Sequence, residues 1–231
     1  MTEKSSLYRY TLILTAGLIA GLLLMLSWPR LQASISYLPV DTAISNYLKT
    51  REIDNAQLDG LIERAGQSIA IHDHYRYWAG VSELQLLAGQ DMSRSFWQRR
   101  QALQDSILAA EEVVRRAPAK PRAWLRIARA KEFLAYPSDE IISPLKMSIF
   151  TGRVEPTLML TRLALGLRQL PDLDAEDIRL VRDQAVLTWA INERTMLKQI
   201  ESGLLDLELL RLVLAENNPA IYAEMEAHFE K

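Results

Sequence analysis

From Thr11 to Trp28 (TLILTAGLIAGLLLMLSW) the chain is apolar on every face and carries no charge, a pattern it repeats nowhere else. At about 1.5 Å per helical residue such a run spans most of a hydrocarbon core roughly 30 Å thick. A helix in a soluble protein normally keeps one polar face. The pattern therefore predicts a transmembrane helix over 11–28, with 1–10 as a tail, 29–53 as a connector and 54–231 as a separate domain. Pro29 is expected to end or bend the membrane helix, and Leu31–Pro39 to be connector.

Beyond the connector the apolar positions return at helical spacing. Phe96, Leu103, Ile107, Ala110, Val114 and Ala117 fall at steps of three, four or seven, and leave Arg99, Arg100, Arg115 and Arg116 off the stripe. Trp124, Ile127, Ala128 and Leu134 mark a further helix beginning near Arg122. Asp54 or Asn55 is expected to cap a helix running to about Ile69, and Tyr75–Leu87 reads as another. Ser138 or Asp139 opens a helix interrupted at Ser143-Pro144, Glu155-Pro156 opens the next, and Asp174 is a good N-cap for Ala175 onward. Three more helices are expected over Glu193–Ser202, Leu204–Glu216 and Pro219–Glu230. Alternating strand patterns and glycine hairpin signals are missing. The fold class is all-α: one N-terminal transmembrane helix, then an α-solenoid or irregular bundle of short helices.

The flanks of the apolar run suggest its orientation. Lys4, Arg9 and the α-amino group precede it and only Arg30 follows closely, which places the N-terminus in the cytoplasm and the C-terminal bulk outside. Tyr8, Tyr10 and Trp28 bracket the run where amphipathic rings favour the headgroups. A cleaved signal peptide is the competing reading. Its best cut, after Ala33, has Leu31 where a small residue is wanted, so an uncleaved anchor is preferred. Gly17 and Gly21, with Ala16 and Ala20 beside them, put small residues on one face where two membrane helices can pair, which would make a homodimer.

The absence of cysteine excludes disulfides, thiolate catalysis and cysteine-ligated metal. The net charge of −2 hides an uneven distribution. Residues 94–131 hold ten basic and three acidic side chains, a net +7, whereas 132–231 hold ten basic and seventeen acidic, a net −7. Arg99, Arg100, Arg115, Arg116 and Arg122, interleaved with Phe96, Trp97 and Trp124, form a candidate surface for an anionic polymer, acidic headgroups or a protein partner. The duller alternative is a solvated helix face. Nucleic acid would use the same chemistry but is not met by an outward-facing domain.

His72-Asp73-His74 is the one cluster with metal or acid–base potential. Residues i and i+2 diverge on a helix but could converge on an extended segment, and the third histidine, His228, is far away in sequence. Asp73 is more simply a cap for the helix beginning at Tyr75. The paired carboxylates Asp139-Glu140, Asp172 with Asp174, and Glu176-Asp177 all sit at helix starts, where unpaired N–H groups favour negative charge. Nucleophile-elbow, phosphate-loop and dinucleotide-loop patterns are missing. No enzyme, cofactor or metal is expected.

Around the break Ala117-Pro118-Ala119-Lys120-Pro121 the chain resembles a tetratricopeptide repeat (TPR) boundary, with Pro118, Trp124, Ile127 and Ala128 at the family's packing positions. The family's small residues would fall on Ser106 and Val113, an incomplete match, and its next helix should be uninterrupted where this chain has Pro144. The resemblance covers about 40 residues and implies a TPR-like domain of divergent stacked repeats. The anchor, Leu38-Pro39-Val40-Asp41-Thr42-Ala43, the run from His72 to Trp78 and the TPR-like middle together resemble accessory proteins of bacterial exopolysaccharide synthesis of the VpsP type. That likeness implies an inner-membrane protein with a periplasmic scaffold domain, working among envelope or polysaccharide-assembly proteins.

Overall fold

The computed structural model describes residues 2–50 and 52–229, with side chains from residue 12 onward. The side chains of Lys4, Tyr8, Arg9 and Tyr10, on which the predicted orientation and aromatic bracket rest, lie outside the described residues. Met1, Arg51, Glu230 and Lys231 do too. Among the described residues the fold is all-α, with two short 3-10 turns, at Asn55–Gln57 and Leu170–Asp172, and no strand. The helices are α1 (Thr2–Thr50), α2 (Leu58–Ile71), α3 (Tyr75–Gln90), α4 (Phe96–Arg116), α5 (Pro121–Phe133), α6 (Ser138–Thr151), α7 (Pro156–Arg168), α8 (Ala175–Glu201), α9 (Leu207–Leu214) and α10 (Pro219–Phe229). The chain divides into two compact units, Met1–Leu84 and Gln85–Lys231, with the division inside α3.

In the first unit α1 is one long helix of two unlike halves. Every residue from Leu12 to Gln32 is exposed, including Leu24 and Met25 at about three-quarters of their surface. Among the described residues this is the one helix long and apolar enough to cross a membrane, with mean hydropathy 2.0 and none of its most apolar window buried. From Ala33 the character changes. Ala33, Tyr37 and Val40, spaced four and three apart, are buried, and α2 packs on α1 through its own buried Leu58, Leu61 and Ala65. The segment expected to be a connector is therefore helical through Thr50. Pro29 and Pro39 lie inside the helix instead of ending it. Each proline withholds one N–H from the helical ladder, and nearby hydroxyls turn back on it: Ser27 donates to the Leu23 carbonyl at 2.7 Å and Thr42 to that of Leu38 at 2.9 Å. Gly80 of α3 lets α1 and α3 meet closely, because a Cβ there would come within 2.9 Å of two ring carbons of the buried Tyr37.

In the second unit each helix from α4 on packs on the next: α4 on α5, α5 on α6, α6 on α7, α7 on α8, α8 on α9 and α9 on α10. Leu103, Ile107, Ala110, Ile127 and Leu134 form one buried cluster; Leu125, Ala128, Ile141, Leu145 and Ile149 form a second. Leu163, Leu167, Val181, Met196 and Leu210 belong to the largest, toward the C-terminus. Phe96, expected on the core stripe of α4, is exposed instead. Pro144 is a further correction: α6 runs straight through it, and the proline is buried seven residues into the helix. Asp174 caps α8 as expected, accepting from the N–H groups of Glu176 and Asp177 at 2.9 and 2.8 Å. The helices expected from Ala175 and from Glu193 join across Asn192, whose backbone (φ −128°, ψ 32°) kinks α8.

Candidate functional site

Basic side chains gather in two places, one in each unit. The first is a cavity of about 390 Å³ beside α1, directly past the exposed apolar half. Arg30 and Ser34 line it from α1, and His72, Asp73, His74, Arg76 and Tyr77 from the α2–α3 junction and the start of α3. The junction folds here for local reasons. The chain leaves α2 at His72 in extended conformation (φ −150°, ψ 109°), and α3 then begins with His74 Nδ1 accepting from the Arg76 N–H at 3.3 Å. Asp73 accepts from Trp78 Nε1 at 2.7 Å. Ser34 and Tyr77 share a hydroxyl–hydroxyl bond of 3.2 Å across the two elements, and Tyr37 Oη donates to the Arg76 carbonyl at 3.3 Å. Arg76 forms an ion pair of 2.8 Å with Asp41.

The extended junction brings His72 and His74 side by side, with stacked rings whose centroids are 6.0 Å apart. Burial holds the His74 imidazole below its ordinary value, and His72, Arg76 and Arg30 push it the same way against the pull of Asp73. Among the described residues no group of three or more His, Cys, Asp or Glu side chains is placed to hold a metal ion.

The second gathering is the basic stretch, which the structure separates into parts. Arg99 and Arg100 line one groove of about 290 Å³ with Phe96, Leu103, Phe133 and Ala135. Arg99 reaches Met92 Sδ at 2.8 Å, while its Nε has no acceptor among the described residues. Arg115 and Arg116 lie sixteen residues further on, about 24 Å along α4, and both grip Glu112. Two guanidinium groups hold the Glu112 carboxyl below its usual range. Arg122 donates to Thr157 Oγ1 at 3.0 Å, Lys131 pairs with Glu140 at 2.9 Å, and Arg126 is buried. The residues around the proline break are packed together. Trp124 Nε1 donates to the Pro118 carbonyl at 2.8 Å, and Ile127 and Ala128 are buried beneath.

A third cavity, of about 540 Å³, is lined by Ser138, Asp139, Lys146, Asp172, Asp174 and Asp177. Its carboxylates have structural work. Asp177 pairs with Lys146 at 2.6 Å, Asp172 accepts from Ser138 at 2.5 Å and Asp174 caps α8. One buried charge has no counterpart in the sequence reading. Arg162 of α7, 1 % exposed, donates to the carbonyls of Ser148 (2.6 Å) and Gly152 (2.8 Å) and to Ser148 Oγ (2.9 Å), ligating the C-terminal end of α6. Burial pushes its guanidinium down to about 10, so it stays charged at neutral pH. Arg162 falls in an apolar helix (LMLTRLALG), and that placement is the one signal that could have marked it as buried.

Gly17 and Gly21 sit on the exposed half of α1 with open space around them.

No protein-family model matches the chain, and no curated protein matches it in sequence. Among solved structures it is similar to the TPR2AB domain of yeast Sti1 in its complex with pHSP90, at 12 % identity and a TM-score of 0.39, over 81 % of each chain.

Proposed function

We propose that the protein is a single-pass membrane protein whose helical domain is a non-enzymatic scaffold, holding other proteins at the membrane face to which α1 delivers it. One observation carries this reading: α1 passes unbroken from a fully exposed apolar half into a half whose Ala33, Tyr37 and Val40 are buried against the first unit. An apolar cylinder this long is stable in lipid and costly in water. In this reading residues 11–28 are the anchor, 1–10 the cytoplasmic tail and 54–231 the periplasmic domain of a Gram-negative-type envelope. Exopolysaccharide synthesis or export is the setting drawn from the sequence resemblance.

Alkaline carbonate should leave the protein in the membrane pellet, and deletion of 11–28 should release a helical soluble domain; release of the full chain by carbonate would refute the anchor. A periplasm-active reporter fused after Lys231 should be active, and activity of a cytoplasm-active reporter alone would reverse the orientation. Affinity capture from solubilised membranes should recover polysaccharide-assembly proteins. Paired anchors are part of the same reading: Gly17→Leu with Gly21→Leu should abolish crosslinked dimer in membranes.

A second reading, an anionic-glycan module, is favoured by the groove that Arg99 and Arg100 share with Phe96 and Phe133. Charge reversal at Arg99, Arg115 and Arg122 should abolish polymer binding at low salt with helicity intact. Unchanged binding removes this reading. Replacing His72 and His74 together with alanine should leave the capture of partner proteins intact.

A further inference from the structure

The position and chemistry of the cavity beside Arg30 fit a ligand. Four basic side chains line it: Arg30 from α1, Arg76 from α3, and His72 and His74 from the junction between α2 and α3. Hydroxyl groups of Ser34 and Tyr77 line it as well. Arg30 forms no ion pair and no side-chain hydrogen bond among the described residues. Its five donors are therefore open to a ligand. Two carboxylates stand nearby: Asp73, which also lines the cavity and accepts from the indole of Trp78, and Asp41, which pairs with Arg76, so that Arg30 is the guanidinium of the cavity with no carboxylate of its own. The residues that line the cavity from α3 belong to its N-terminal end, and the first turn of that helix carries no acidic residue. The positive end of the helix dipole adds to the same side. Convergent guanidinium, imidazole and hydroxyl donors of this kind recognise a phosphate group.

The source of that phosphate follows from where Arg30 stands. The exposed apolar run ends at Trp28. Arg30 and Ser34 follow it by about 3 and 9 Å along the helix axis. A headgroup layer is roughly 5–8 Å deep on each side of the hydrocarbon core. With α1 in a bilayer Arg30 therefore lies at headgroup depth and Ser34 at the outer edge of that layer, where the local concentration of phosphodiester anions exceeds that of any soluble phosphate.

We infer that this cavity is a binding site for the phosphate of an anionic phospholipid headgroup, formed when the α2–α3 junction folds back onto the membrane-proximal end of α1. The inference rests on the membrane-anchor reading above.

The full-length protein is reconstituted into vesicles of phosphatidylcholine containing a minor fraction of phosphatidylglycerol, floated, extracted into mild detergent and weighed by native mass spectrometry. Wild type is expected to retain one phosphatidylglycerol in preference to phosphatidylcholine. Arg30→Gln is expected to lower that retention about tenfold or more, because a charge-assisted contact to phosphate is lost. His72→Gln with His74→Gln is a second variant away from α1. Arg64→Gln, an exposed arginine of α2 outside the cavity, removes the same charge and should retain the lipid as wild type does. Circular dichroism checks that each variant is folded. Equal retention by wild type and both cavity variants overturns the site. Saturation of the His72 and His74 ring signals by inorganic phosphate in detergent, with no preference for phosphatidylglycerol, overturns the lipid source and leaves a soluble-phosphate site. Flotation on pure phosphatidylcholine reports the anchor separately. A chain that floats without headgroup preference overturns this inference alone, whereas a chain that does not float overturns both readings.

Discussion

The two gatherings of basic side chains differ in a way that net charge conceals. Residues 94–131 carry a surplus of seven positive charges, yet the structure divides them among neighbours: Arg115 and Arg116 on Glu112, Arg122 on Thr157, Lys131 on Glu140. The cavity beside α1 draws far fewer charges, and draws them from segments some forty residues apart in the chain, onto one volume of about 390 Å³. Within the run, helical turns offer Arg115 and Arg116 a carboxylate at i−3 and i−4, while Lys131 and Arg122 find their partners on other helices. Charges brought together by tertiary folding have no such local supply. Convergence, more than abundance, marks a place where an external anion is wanted.

The largest test of that contrast concerns an arginine outside both gatherings. Arg162→Met removes three buried hydrogen bonds, to Ser148 O, Gly152 O and Ser148 Oγ. It should destabilise the second unit by roughly 3–5 kcal/mol in denaturant unfolding. A loss below that of a surface arginine would mean that the stretch, and not Arg162, holds the unit together. Gly80→Ala should cost about 1–3 kcal/mol by overpacking Tyr37. It should also displace the start of α3 and, with it, phospholipid retention, which ties the cavity to long-range packing. Ala135, at φ 55° in the Schellman turn after α5, forms part of the groove wall beside Arg99 and Arg100. Ala135→Gly should raise stability by roughly 0.5–1 kcal/mol by relieving the left-handed backbone, without altering any charge there. Arg115→Ala should change thermal stability by no more than about 0.5 kcal/mol, since its ion pair is exposed.

Acid offers a test on the anionic side of the same pairs. Hydrogen bonds from Ser93 hold the Asp91 carboxyl, and the α8 N–H groups hold that of Asp174, below the ordinary 3.8, while Arg115 and Arg116 hold Glu112 below 4.5. A carboxyl depressed in the folded state stabilises it above the unfolded value, and that stability is lost as pH falls through the folded value. The melting temperature should therefore be flat down to about pH 5 and fall below it, and Asp174→Asn should flatten the fall.

Much of the fold was legible because helices announce themselves locally. The stripe Leu103, Ile107, Ala110 predicted the buried face of α4, and Asp174 announced the start of α8. The misreadings share one cause. Pro29 and Pro144 are local breakers that lie inside continuous helices, and at Pro144 tertiary packing is what overrides the break: α6 buries it among Ile141, Leu145 and Ile149. The proposed connector became helix because Ala33, Tyr37 and Val40 find partners in α2 and α3, which no window of nearby residues contains. The candidate sites divide along the same line. His72 and His74 stood out in the sequence as a pair, but Arg30 and Ser34, which share their cavity, lie about forty residues earlier. Arg99 and Arg115 looked like one surface because they are close in sequence, and 24 Å of helix separates them.

The unbroken course of α1 also has a mechanical meaning. A helix resists bending over tens of ångströms, so with its apolar half in a bilayer and its other half packed on a folded body α1 would behave as a rigid stalk. Thr50 lies twenty-two residues past Trp28, roughly 33 Å along the axis. A change in tilt of 20°, within what membrane helices adopt as bilayer thickness varies, swings that end by about 11 Å. Bilayer thickness would thus become a mechanical input, read out as the height and angle at which the first unit is carried above the lipid.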